Sequence, residues 1–178
     1  MTVLTRNPTN PNPLQPNKFV LNFSRLPNIQ YFCQSVSVPG ISLSEAVITN
    51  PFVDIYSPGE KQIYDLLNVT FIVDEELKSW IEVHDWIRAM TFPTKFEEYR
   101  QLPRLSKNTV NRPEFPQFSD ASITIFSSSM KPYYRIKYYE TFPTTLSTFV
   151  LTAQEGPDSI ITADATFRYS YFDIEKLF

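Results

Sequence analysis

The chain is poor in the residues that most often carry chemistry. Its 178 residues include one cysteine, one histidine and three glycines. With Cys33 alone no intramolecular disulfide can form, and nothing points to an oxidising compartment. One Cys and one His cannot assemble a zinc site of the common Cys/His types. Gly40, Gly59 and Gly156 each sit in a turn context, and none belongs to a Walker or Rossmann phosphate-binding pattern. No apolar run reaches the roughly 20 residues that span a bilayer. The stretch MTVLTRNPTNPNPLQPN has no apolar core of the kind a secretory signal needs. A formal charge of −3 is the wrong balance for a cationic surface that releases counterions from nucleic-acid phosphates.

The isolated titratable residues have plain structural readings. His84 falls in the middle of a helical pattern beside Trp80, with no Ser or Cys nucleophile motif to serve. Cys33 lies in an alternating stretch where a small apolar side chain packs well, and no neighbour would lower its pKa. The adjacent acids Glu75/Glu76 and Glu97/Glu98 point apart on a helix and make no acid/base dyad. No Asp-rich calcium loop is present. The expectation is a protein that is not an enzyme, with no catalytic residue, no cofactor and no metal.

What the chain has in quantity is aromatic residues and proline: 15 Phe, 10 Tyr and 15 Pro. Aromatics favour half-buried pleated surfaces, and prolines between strands make stiff connections. A chain of this length reads as one mostly-β domain able to bury a real core. Residues 1–16, rich in Asn and Pro and without periodicity, read as a flexible N-terminal arm; 17–178 read as the domain.

Alternation predicts the strands. Phe19, Leu21 and Phe23 share one face. Tyr31–Val38 reads as a second strand ending at the Pro39-Gly40 turn. Residues 41–49 and Pro51–Tyr56 look extended, with a turn at Ser57-Pro58-Gly59. Leu67, Val69, Phe71 and Val73 alternate with Asn68, Thr70 and Ile72. Ile123 and Ile125, Tyr133–Tyr139 and Leu146–Thr152 follow. In the last strand Ala163, Ala165, Phe167, Tyr169 and Tyr171 share a face. One helix is expected over residues 75–91, with Asp74 as N-cap and Leu77, Trp80, Ile81, Ile87 and Met90 at helical spacing. Phe92-Pro93 ends it.

Residues 93–119 form a long proline-rich loop with five basic side chains over 95–114 (Lys95, Arg100, Arg104, Lys107, Arg112) against three acids (Glu97, Glu98, Glu114). It reads either as a solvated loop or as a docking segment for an acidic patch on an adjacent subunit. The run Tyr133-Tyr134-Arg135-Ile136-Lys137-Tyr138-Tyr139 interleaves bases and aromatics as a single-strand-binding platform would. Strand alternation explains it more simply, with Tyr134, Ile136 and Tyr138 on one face.

Three stretches resemble the phage tail-tube fold family, that is, contractile tail tube proteins of the T4 type and their baseplate tube-initiator relatives. Pro16-Asn17-Lys18-Phe19-Val20-Leu21, with Phe32-Cys33-Gln34 and Val38-Pro39-Gly40, looks like the family's opening hairpin. Leu67–Glu76, leading into His84-Asp85-Trp86-Ile87, is similar to its strand, acidic turn and helix with an Asp-Trp pair. Phe142-Pro143-Thr144 and Ala165–Tyr171 resemble its Pro-Thr turn and aromatic last strand.

The resemblance implies a β-sandwich or barrel that closes into a hexameric ring, rings that stack into a tube, and DNA passing through the lumen without sequence-specific binding. It implies sheath or baseplate proteins as partners, no membrane, and a place in the virion tail after assembly in the host cytoplasm. A baseplate initiator ring of the same fold stays open beside the main tube subunit. In a different class, so does a β-sandwich host-surface binding module. The core is expected from Phe19, Leu21, Phe23, Val69, Phe71, Trp80, Ile87, Phe167, Tyr169 and Tyr171. Subunit contacts are expected from the hairpin between Pro39 and Leu66 (Pro51, Phe52, Ile55, Tyr56) and from Arg100, Arg104 and Arg112.

Overall fold

A computed structural model describes residues 12–91, 93–95, 97–98, 117–152, 156 and 159–177. Nine strands and two helices are defined there: β1 Phe19–Phe23, α1 Pro27–Phe32, β2 Cys33–Val36, β3 Ile41–Ile48, β4 Ile55–Tyr64, β5 Leu67–Ile72, α2 Lys78–Thr91, β6 Ser119–Phe126, β7 Pro132–Leu146, β8 Thr162–Arg168 and β9 Tyr171–Lys176. All pairings are antiparallel. Seven strands form one sheet in the order β1-β6-β7-β8-β5-β2, with β9 also on β7; β3 and β4 form a separate hairpin.

The 15-residue β7 organises this sheet. Its first half pairs with β6 and β9, and its second half with β8. Between the halves Glu140 has a φ of 56°, and the register with β6 slips between Ser119 and Ala121. Such a bulge bends a strand without ending it. The sheet therefore folds over on itself: Phe23 of β1 meets Phe167 of β8 with ring centroids 4.8 Å apart, although two strands separate β1 from β8 in the sheet order.

Between the folded halves lie Leu21, Phe23, Val69, Phe71, Ile123, Ile136, Tyr138 and Phe167, all buried. The two helices cover this core. Trp86 of α2 is buried against Phe167, donates its indole N–H to the Gln117 carbonyl at 3.1 Å, and carries the Arg25 guanidinium 4.8 Å above its ring. Burial pulls the Arg25 pKa down to about 10.

Several expectations need correction. The described residues hold two helices. Tyr31 belongs to α1 and the second strand is only Cys33–Val36. Pro27 suits the first turn of a helix, and the Asn28 backbone and side-chain amides donate to Glu82 of α2 at 3.2 and 2.7 Å, a tertiary anchor that alternation cannot reveal. Ser57-Pro58-Gly59 does not turn the chain but lies inside β4. There the register jumps from Leu43↔Gln62 to Glu45↔Pro58, so extra residues of β4 bulge opposite Ser44. A Cβ on Gly59 would come within 2.6 Å of the Ser44 carbonyl oxygen, so the bulge requires glycine. Phe142-Pro143-Thr144 and Leu146 continue β7 beyond its bend, while residues from Ser147 to Thr152 leave the sheet.

The helix starts at Lys78, three residues later than the periodicity predicts. Asp74 still caps it, from outside: its carboxylate accepts from the Lys78 and Ser79 amides at 3.1 and 2.8 Å and from the Ser79 hydroxyl. Leu77, with φ 57°, turns the chain between them. Consequently the buried face of α2 is Ser79, Val83, Trp86 and Ala89; Trp80, Ile87 and Met90 flank it, and Leu77 and Ile81 are exposed. Phe19 is also half-buried and Tyr169 buried. Tyr171 is 43% exposed, because the chain breaks at Tyr169–Ser170 and β9 resumes with Tyr171 facing out, stacked on Tyr139 at 4.6 Å. The folded sheet is open at its edges and does not form a closed barrel within the described residues.

Two outcomes follow from these local devices. Burial raises the Asp74 pKa, but the hydrogen bonds from Ser79 and Lys78 outweigh it and hold the carboxyl below its ordinary 3.8. Its contribution is then present above pH 3.8 and lost as pH falls through the lower folded value. Asp74→Ala should cost about 1 kcal/mol in urea unfolding at pH 7, and the difference from wild type should vanish in acid. Gly59→Ala should open the hairpin alone: amides of residues 41–48 and 55–64 should exchange faster with solvent while the thermal midpoint of the core stays fixed.

Candidate assembly surfaces

Three surfaces stand out once the core is accounted for. The first is the β3–β4 hairpin. Val47 pairs with Tyr56 and Ile48 with Ile55, and all four side chains are exposed. At the tip Pro51 is exposed, Val53 is exposed, and Phe52 has 95% of its surface in solvent. A two-stranded ribbon this apolar, with no third strand paired to it among the described residues, is the kind of surface that partners cover. Pro51, Phe52, Ile55 and Tyr56 are thus brought together. Val47, Ile48 and Val53 join them; the turn-like composition of Ser57-Pro58-Gly59, which lies inside β4, masks the ribbon's extent in the sequence. Arg100, Arg104 and Arg112 lie outside the described residues.

The second surface is the far face of the four-stranded half sheet β2-β5-β8-β7. Alternation puts Leu67, Val69, Phe71, Ala163, Ala165 and Phe167 inward and leaves hydroxyl and amide groups outward, with Asp164 and Arg168 as the charged members of β8. These groups bond one another: the Thr70 hydroxyl donates to Asp164 at 2.7 Å, Thr166 to the Asn68 side-chain oxygen at 3.1 Å, and Thr144 to the Thr166 carbonyl at 3.1 Å. Among the described residues no strand pairs with the outer edge of β2 or with the outer edge of β7 over residues 142–146. One half sheet thus presents an open edge on each side, which a monomer must otherwise protect.

The third surface is the outer face of β7 and β9. Ile136 and Tyr138 of the basic-aromatic run are buried, while Lys137 is tied to Glu175 at 2.9 Å. Tyr133 packs edge-on against Tyr134. The alternation of a strand therefore accounts for the run, and one of its two cations is already paired.

The residues considered for chemistry are dispersed. His84 stacks on Trp80 at 5.2 Å with its Nδ1 3.2 Å from Asp85. Burial pushes the Cys33 thiol up to about 11, which keeps it protonated and unreactive at neutral pH. Among the described residues no three His, Cys, Asp or Glu side chains come together as metal ligands would.

Comparison with known proteins agrees with this architecture. Residues 10–175 match the phage tail tube protein family. The tail tube terminator protein of Enterobacteria phage T4 is 32% identical over 149 residues, covering 80% of this chain and 76% of the relative. Among solved structures, the anti-feeding prophage cap (a tube-terminating cap) superposes with a TM-score of 0.59 at 15% identity, covering 99% of each chain. A subunit of the sheath–tube complex of an extracellular contractile injection system superposes with a TM-score of 0.56 at 15% identity, covering 94% of each. The chain belongs to the phage tail tube protein family and is a structural protein of the tail.

Proposed function

We propose that this chain forms the ring that ends a phage tail tube. The observation that carries the reading is the 32% identity to the T4 tail tube terminator over most of both chains. It favours the terminal ring over the two roles that the sequence left nearly even, main tube subunit and baseplate initiator. The host-surface binding module loses ground because family membership accounts for the whole domain.

The half sheet β2-β5-β8-β7 supports closure into a ring. Its two open edges are complementary in kind: β2 of one copy completes the sheet of the next by pairing with β7 beyond its bend. Repeated six times, as the resemblance implies, the operation closes and leaves no exposed edge. The face bearing Asn68, Thr70, Thr144, Asp164 and Thr166 then lines the lumen. Hydroxyls and amides bonded to one another make most of that wall, and on β8 the exposed Arg168 is matched by Asp164 on the same face, so no net cationic surface grips a passing DNA backbone. The helices and the β7/β9 face turn outward, toward sheath or terminating proteins.

The protruding hairpin makes the contact to the adjacent subunit or tube ring through Phe52, Ile55 and Tyr56. The arm 1–16 and the segment holding Arg100, Arg104 and Arg112 add contacts of the same kind. The chain does no catalysis in this role; its work is shape and closure, in the virion tail.

Negative-stain microscopy tests the reading. Purified protein should give rings with a central hole that seat on the ends of tail tubes and do not elongate into tubes themselves. Monodisperse monomers across protein and salt concentrations, or open-ended tubes of this chain alone, would overturn it. Phe52→Asp should leave the unfolding midpoint within about 0.5 kcal/mol of wild type, as surface substitutions do, yet abolish seating on tube ends. Unimpaired seating would remove the hairpin from the interface.

A further inference from the structure

The half sheet β2-β5-β8-β7 has two ends, and both are apolar. The hairpin leaves one end, between Val36 and Leu67. The opposite end is where β5 finishes at Ile72, β7 at Leu146, and β8 starts at Thr162. There the Val73 amide donates to the Ile161 carbonyl at 2.9 Å, and Trp80 holds the chain leaving β7 through the Ser147 carbonyl at 3.4 Å and the Phe149 ring at 5.7 Å. Around this anchor Val150, Leu151 and Ile160 are 74%, 75% and 68% exposed, with Leu77 and Ile81 of the helix start also in solvent. Three large aliphatic side chains so exposed, on segments that Trp80 and Val73 tie to the start of α2 where two more lie in solvent, are apolar surface that needs a cover.

Charge decides what that cover is. The rim of the patch carries Asp74, Glu75 and Glu76 against Lys78, which is already paired with Glu76. The only other protruding apolar element of the described chain is the hairpin, and residues 37–66 carry Glu45, Asp54, Glu60 and Asp65 against Lys61. Bringing the hairpin of a second copy onto this end would set acid against acid, a penalty repeated at every subunit of a ring. We infer that the end formed by Leu77, Ile81, Val150, Leu151 and Ile160 is a docking face for a different protein, one presenting an apolar segment flanked by basic residues. The inference rests on the terminal-ring reading, since a ring at the end of a tube meets something other than its own kind on one side. The same acidic rim then keeps the ring from stacking on itself.

The test uses the full-length protein and a fluorescent amphipathic Leu/Lys peptide of about 14 residues as a stand-in for a helical or extended docking segment. Fluorescence anisotropy should show binding that weakens about tenfold both in Val150→Asp/Leu151→Asp and in Glu75→Lys/Glu76→Lys. Phe52→Asp should bind as wild type does, and a Leu/Glu peptide should not bind. In sedimentation, Glu75→Lys/Glu76→Lys should gain end-to-end association that Phe52→Asp removes. Equal peptide affinity in wild type and both double variants would overturn the proposal, and so would wild-type rings that stack end to end through this face. Absence of rings in sedimentation would sink the terminal-ring reading alone, because peptide binding reports on the face in any oligomeric state.

Discussion

The bend in β7 is the constraint on which the rest of the structure depends. A 15-residue strand serves two half sheets, and the turn at Glu140 sets the angle between them. Because the halves fold toward each other, Phe23 and Phe167 touch and a core exists at all. Because β6 stops pairing at Thr141, the remainder of β7 keeps one edge open. The same feature that builds the monomer core thus creates the unfinished edge on which the proposed ring contact rests.

The inside and outside of the far half sheet follow from a period of two. Small and apolar residues such as Ala163, Ala165 and Phe167 pack inward with almost no exposure. Their alternates Asp164 and Thr166 bond to Thr70 and Asn68 on the next strand. Cross-strand hydroxyl and amide pairs stiffen that face and satisfy its polar groups. A surface of this kind would give the proposed ring a smooth inner wall, whereas the hairpin and the opposite end of the sheet leave apolar side chains exposed. Core, polar outer face and exposed apolar surfaces are therefore separate regions of one short chain.

Much of this was legible in the sequence, because half-buried strands advertise themselves. Leu67, Val69 and Phe71, and again Ala163, Ala165 and Phe167, alternate without interruption. Failures occur where tertiary geometry overrides the local signal. Ser57-Pro58-Gly59 has the composition of a turn but forms a bulge, since Gly59 must pass close to the Ser44 backbone. Pro27–Phe32 becomes helical through its bonds to Glu82, and the start of α2 shifts because Leu77 takes a left-handed conformation. The hairpin's reach across Val47, Ile48 and Val53 was hidden by that same misplaced turn, while the presence of an exposed apolar ribbon in this part of the chain was readable. The proposed terminal-ring role draws on comparison with relatives, since no residue pattern distinguishes the last ring of a tube from the others.

The central claim, that β2 of one copy completes the sheet of the next at β7, is tested most directly by disulfide trapping. Ser35→Cys on β2 and Thr145→Cys on β7, introduced together in a Cys33→Ser background, should oxidise into a ladder of covalent oligomers ending in a closed species of about six chains, the closed ring that an edge-to-edge contact repeated around an axis demands. Each single cysteine variant should stop at dimers or below. Monomers alone from the double variant under oxidation, while the same sample still forms rings by microscopy, would contradict the account and place the subunit contact elsewhere.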